Sequence, residues 1–149
     1  MKYTFFGHAC FRLDTGKEKL LFDPFLTGNG DAAVSPNRVK CDYILLSHAH
    51  SDHFGDSVEI ARRTGATVVA IPEVIGLFPK TVLNFAPMNL GGQYKTDFAT
   101  IKMVQALHSC GVPEEQVLNT SWERLEQHLA RRRDARRKVR QELTEGFEE

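Results

Sequence analysis

Three histidines and an aspartate fall within the seven residues Ser47-His48-Ala49-His50-Ser51-Asp52-His53, directly after the apolar run Tyr43-Ile44-Leu45-Leu46. Imidazole nitrogens suit zinc and other borderline divalent ions, and a carboxylate adds an anionic ligand that can also handle protons. The grouping points to a hydrolytic metal site, because a structural zinc site would more often use cysteines and none lie in this stretch. In extended backbone, residues two apart project the same way, so His48 and His50 can reach one ion together. Asp52 and His53 are adjacent and face differently, which suits them to a second ion. The alternative is a polar loop of surface histidines, and the density of ligands between an aliphatic run and Phe54-Gly55 speaks against it.

Such a cluster needs a strand that delivers it. Tyr43 to Leu46 is continuously apolar, as expected of a strand covered on both faces, and Asp56 to Thr64 has helical composition ending at Gly65. Thr67 to Ile71 returns to β-branched residues, completing a strand-helix-strand unit with the ligand loop at the carboxyl end of its first strand. Upstream, Tyr3 to Phe6, Cys10 to Leu13 and Leu20 to Phe22 predict a meander, with Asp14-Thr15-Gly16-Lys17 as a turn. Downstream, Pro72, Gly76 and Pro79 limit Glu73 to Phe78 to a short helix. Val82 to Phe85 and Phe98 to Leu107 predict later strands, the second delivering His108 at its end.

The 149 residues suffice for one domain with a real core, and 42% apolar with 26% charged content describes an ordinary soluble protein. A formal net charge of zero gives no general drive toward nucleic acid or membrane. The opening residues lack the apolar core of a signal peptide and no later run could span a bilayer, so the expected location is cytoplasmic. Cys10, Cys41 and Cys110 are odd in number and form no C-x-x-C pair, which fits reduced thiols. Cys10 and Cys41 sit in apolar contexts as core residues, whereas Cys110 lies near enough to His108 for a minor ligand or redox role.

Residues 111–149 change character. After Pro113 the chain reads as helix, with Leu118, Trp122, Leu125, Leu129, Val139 and Leu143 forming an amphipathic stripe interrupted by Arg132 and Arg136. Packing against another surface is the expected use. Arg131 to Arg140 holds seven basic groups, but eight glutamates flank them between Glu114 and Glu149. With no aromatic or glycine-rich reader beside the charges, a salt-bridged helix face is expected ahead of nucleic-acid binding.

The segment His48-Ala49-His50-Ser51-Asp52-His53 resembles the H-x-H-x-D-H signature of the metallo-β-lactamase-fold hydrolases. Gly7-His8-Ala9-Cys10-Phe11, Asp23-Pro24-Phe25-Leu26-Thr27-Gly28-Asn29, Cys41-Asp42-Tyr43-Ile44-Leu45-Leu46, Ala61 to Ala70 and Pro87-Met88-Asn89-Leu90-Gly91-Gly92 narrow it. Together they look like the metal-dependent hydrolases related to the ascorbate-6-phosphate lactonases. The resemblance covers residues 1–110 and stops after Ser109-Cys110. It implies an α/β fold, the N-terminal half of an αββα sandwich, followed here by the charged helical tail of residues 111–149.

The resemblance also implies roles. His108 matches the third ligand of the first metal site, joining His48 and His50 around an ion with a fourth position for water. Zinc is the expected ion, with manganese or iron(II) as alternatives, one or two per chain. Asp52 and His53 would hold a second ion, or Asp52 alone would orient the attacking water. Asp23 matches a position that supports the metal-bound imidazoles, and its plain alternative is a turn aspartate before Pro24. His8 matches a position near the site, balanced against a simple strand-end histidine.

In the family a bridging aspartate and a final histidine follow in a second half. Beyond Cys110 this chain offers His128 and Asp134, both in the predicted helical tail. The first metal site is therefore expected to be complete and the second weak. The expected activity is metal-assisted cleavage of a small ester, lactone or phosphoester, and the contrasting expectation is a non-catalytic metal-binding or oligomerisation module. A half sandwich must cover its apolar inner face, so a homo-oligomer or a partner chain is expected.

Overall fold

The computed structural model describes residues 1–108. A six-stranded sheet in the order β1-β2-β3-β4-β5-β6 forms the frame, from Lys2–Gly7, Cys10–Asp14, Lys19–Phe22, Tyr43–Leu45, Thr67–Ala70 and Phe85–Pro87. The first three strands are the antiparallel meander, and β3 to β6 run parallel. A separate antiparallel pair follows, β7 (Gln93–Lys95) and β8 (Thr100–Lys102). This is the N-terminal half of an α/β sandwich.

Between β4 and β5 lie a one-turn helix α1 (Ser51–Phe54) and α2 (Ser57–Thr64). Ile60 and Ala61 of α2 are buried, and Gly65 closes it in the left-handed conformation at φ 72°, its N–H donating to the Ala61 carbonyl. The chain then enters β5, and a third short helix, α3 (Pro72–Ile75), follows it.

Strand alternation sorts the sheet's side chains between two clusters. Leu21, Ile44, Val68 and Ala70 point toward the larger one, with Ile60, Ala61, Phe54 and Val74 from the helices. Tyr43, Leu45 and Val69 point the other way and meet Ala86, Met88, Tyr94, Ile101 and Met103. The β7–β8 hairpin thus covers part of the second face. Cys10 and Cys41 are buried free thiols, as their apolar contexts predict.

Two expected strands fall elsewhere. Val82 to Asn84 stays outside the sheet: the Val82 N–H closes a turn on the Pro79 carbonyl and its side chain is buried in the larger cluster, so β6 begins only at Phe85. Pro87, which lacks an N–H, sits where an edge strand tolerates it. Phe98 to Leu107 is not one strand. The N–H groups of Phe98 and Ala99 fold back onto the Thr96 hydroxyl, β8 spans only Thr100–Lys102, and Val104 and Leu107 are largely exposed. His108 therefore arrives on irregular chain rather than at a strand end. The expected helical tail and Cys110 lie outside the described residues.

Candidate metal centre

The ligand segment leaves the carboxyl end of β4, bends at Ser47 and enters α1 after His50, which is itself extended at φ −60° and ψ 146°. The neighbouring strand β3 ends beside it and turns at Asp23, whose N–H donates to the Leu45 carbonyl at 3.1 Å. Asp23 adopts φ 39°, a left-handed conformation that aspartate tolerates better than most side chains. Its carboxylate is buried.

Three donors converge on that carboxylate. The Ser47 N–H donates to Oδ1 at 2.8 Å, the Ser47 hydroxyl to Oδ2 at 2.7 Å, and Nδ1 of His53 lies 2.9 Å from Oδ2. A carboxylate only accepts, so His53 carries its proton on Nδ1 and turns Nε2 away as a free lone pair. The Ser47 hydroxyl has one proton, given to Asp23, so it accepts from Nδ1 of His48 at 2.9 Å. One buried aspartate therefore sets the tautomer of two histidines, His53 directly and His48 through Ser47.

The freed Nε2 of His48 lies 2.8 Å from Nδ1 of His50, which in turn lies 3.3 Å from Nε2 of His108. One nitrogen from each of these three residues falls within 4.8 Å of the others. Burial lowers the His48 pKa, and the nearby His53, His50 and His108 push it the same way, so its ring is held neutral. Three imidazole nitrogens this close together, with at least one ring kept unprotonated, are a donor set that fits a divalent ion.

A second group, of His8, Asp52 and His53, also brings its ligand atoms within 4.8 Å of one another. His8 comes from the turn between β1 and β2, where Gly7 pairs with Cys10, and its Nε2 lies 3.2 Å from Oδ2 of Asp52. The His8 ring stands edge-on to Phe25 and His53. Partial desolvation works against ionisation of Asp52, but its own backbone N–H and the adjacent His53 and His8 outweigh that and lower its pKa. Asp52 is a carboxylate at neutral pH.

The structure thus brings together every site residue read from the sequence, and it divides them: His48, His50 and His108 in one group, His8, Asp52 and His53 in the other, Asp23 beneath both. Sequence reasoning passed over Ser47 as the link from Asp23 to His48. A hydroxyl immediately before the first histidine was the available signal.

The α/β sheet thus presents two neighbouring groups of residues, each able to offer three ligand atoms to a metal ion. The profile of the metallo-beta-lactamase superfamily matches residues 3–143, and the chain belongs to that superfamily. It is 44% identical over 117 residues to a UPF0173 metal-dependent hydrolase of Carboxydothermus hydrogenoformans, covering 78% of this chain and 52% of that protein. A protein of the same description from Archaeoglobus fulgidus is 46% identical over 116 residues, covering 78% and 50%. Among solved structures, Igni18, a metallo hydrolase from Ignicoccus hospitalis, superposes with a TM-score of 0.64 at 33% identity, covering 74% of this chain and 52% of that one. The chain spans about half the length of the curated relatives it matches.

Proposed function

We propose that this chain binds a divalent ion through His48, His50 and His108 and serves the hydrolysis of a small ester, lactone or phosphoester. The observation that carries the reading is the gathering of three imidazole nitrogens within 4.8 Å of one another, with the tautomer of His48 set by Asp23 through Ser47. Its relatives' description as metal-dependent hydrolases supports it. A bound ion of this class supplies a water of lowered pKa, about 7 at a zinc site, and polarises a carbonyl or phosphoryl oxygen. Zinc is the ion proposed, with manganese or iron(II) as alternatives, and kinship with the ascorbate-6-phosphate lactonases is part of the proposal.

The protein's own groups divide the remaining work. Asp52, ionised and half-exposed, helps to hold a second ion or orients the attacking water. Asp23 stays buried and holds His53 and Ser47 in place, so the ligand rings need not reorient when substrate arrives. The test is metal analysis of purified protein alongside a panel of phosphodiesters and lactones. Activity lost in His50→Ala and Asp52→Ala supports the reading, and failure to bind zinc, manganese or iron overturns it.

A second reading, of a metal-binding module completed by another copy or a partner chain, is favoured by one feature. Between the sheet face and the end of the hairpin lies an apolar groove of about 290 Å³ lined by Phe22, Leu45, Val69, Met88, Ile101 and Val104, adjoining Asp23 and Ser47. Burying apolar area stabilises by about 25 cal/mol per Å², a drive toward association. Light scattering at micromolar concentration tests it, and a monomer would set it aside. No helix among the described residues is long and apolar enough to cross a membrane. The buried free thiols support a reducing, cytoplasmic setting as part of the same proposal.

A further inference from the structure

We propose that His8 is a metal ligand, completing with Asp52 and His53 a second cation site built within the first 53 residues. The inference rests on the metal-binding reading above and extends it. The spacing of the H-x-H-x-D-H segment leaves Asp52 and His53 as a pair, and two ligands hold a divalent ion poorly. The turn between β1 and β2 supplies the third.

Geometry selects the atoms. The Nδ1 proton of His53 is committed to Asp23 at 2.9 Å, so Nε2 is its available donor. His8 presents Nε2 to Asp52 at 3.2 Å, and one ligand atom from each of the three residues falls within 4.8 Å of the others. Phe25 and His53 flank the His8 ring edge-on, which limits its swing. His8 holds φ 52° as the first residue of a two-residue turn, a conformation that glycine adopts freely and that costs any other residue, histidine less than most. The position would be better filled by glycine if only the turn mattered, so the imidazole has a use of its own.

The donor chemistry differs between the two sites. His48, His50 and His108 offer three neutral nitrogens, whereas His8, Asp52 and His53 offer two nitrogens and an anionic oxygen. A carboxylate shifts preference toward harder ions such as manganese, and the side chains of His8 and Asp52, 43% and 47% exposed, leave the ion open to solvent. An ion held by His8, Asp52 and His53 would therefore be the more weakly bound of the two.

The test is titration of the intact, metal-stripped chain with Zn²⁺ and with Mn²⁺ in the presence of a chromophoric chelator, with bound ions counted by mass spectrometry. The native chain should take up two ions in unequal steps. His8→Gly relieves the turn, so its melting temperature should hold or rise while the weaker step falls at least tenfold and the tighter step stays within threefold. Asp52→Ala should lose the same step. Two unchanged steps in His8→Gly, or a single ion in the native chain, overturns the assignment of His8. A loss of stability in His8→Gly with both ions retained marks His8 as a structural residue and also overturns it. Absence of even the tighter step refutes the metal reading itself, a result distinct from the loss of the weaker step alone.

Discussion

Oδ2 of Asp23 lies 2.9 Å from Nδ1 of His53, and the same oxygen accepts the Ser47 hydroxyl at 2.7 Å. A single buried charge thereby governs one ligand in each of the two groups. Asp23→Asn keeps the volume and tolerates φ 39°, but its amide can offer a donor where His53 needs an acceptor. We expect zinc affinity to drop by about 10- to 100-fold with little change in melting temperature, read by competition against a chelator. Equal affinity in the variant would show that the hydrogen bonds do not orient the rings.

The link through Ser47 predicts a graded series. Ser47→Ala leaves Nδ1 of His48 without its acceptor and removes one of three donors to Asp23, whereas Ser47→Thr keeps the hydroxyl. Metal affinity should fall in the alanine variant and recover in the threonine variant. Nitrogen chemical shifts of the His48 ring should report the Nδ1–H tautomer in the native chain and a tautomer mixture in Ser47→Ala. If both variants bind alike, the serine only fills space.

Backbone contact holds the two halves of the support together. Gly55 adopts φ 39°, and a Cβ there would sit 2.5 Å from the Pro24 carbonyl oxygen and 2.7 Å from Cα of Phe25. The next residue, Asp56, donates its N–H to the Pro24 carbonyl and accepts from the N–H groups of Leu26 and Thr27 at 2.8 and 2.9 Å. Gly55→Ala must displace the Pro24–Phe25 turn, and Asp23 with it. Destabilisation by about 1–3 kcal/mol in urea unfolding, with weakened metal binding, is the expected outcome. An alanine variant as stable as the native chain would mean that the turn yields freely.

Much of this frame is legible in the sequence because its signals are local. Continuous apolar character marks β4, and Gly65 after Thr64 marks the end of α2. Ligand spacing alone separates His48 and His50 from Asp52 and His53. What pattern alone cannot carry is the meeting of distant segments. His8 reaches Asp52 because β1 and β2 lie on the same sheet as β4, two strands removed from it at β2, and because the turn brings its ring to 3.2 Å from the Asp52 carboxylate. The later strands were misplaced for a related reason. Val82 is β-branched and apolar, as a strand residue should be, but tertiary packing uses it to fill the core from a turn.

Acid should undo the cluster in a defined direction. The His48 pKa is lowered from 6.5 by burial and by the adjacent histidines. An imidazole with a folded pKa below its unfolded value contributes stability that is present above about 6.5 and lost as pH falls through the folded value, because the unfolded chain takes up the proton first. The urea midpoint of metal-free protein should therefore fall between pH 7.5 and 5.5, and His48→Gln should flatten that slope. An identical slope in the variant would assign the acid sensitivity to other groups.

Alkali should act through the thiols with the opposite sign. Burial pushes the Cys10 thiol up to about 12 and Cys41 up to about 11 from an ordinary 9.0, with Asp23 and Asp56 adding to the rise at Cys10. Both are acids whose folded pKa exceeds the unfolded value, so the unfolded chain releases protons first and stability declines as pH climbs past about 9. At pH 8 the native thiols are protonated, buried and poor nucleophiles. Iodoacetamide should modify Cys10 and Cys41 slowly in native protein and rapidly in urea, with peptide mass spectrometry separating them from Cys110. Cys10→Ala together with Cys41→Ala should remove most of the loss of stability between pH 9 and 11. Rapid native alkylation of Cys10 would show that the sheet beneath Asp23 opens far more often than its packing implies.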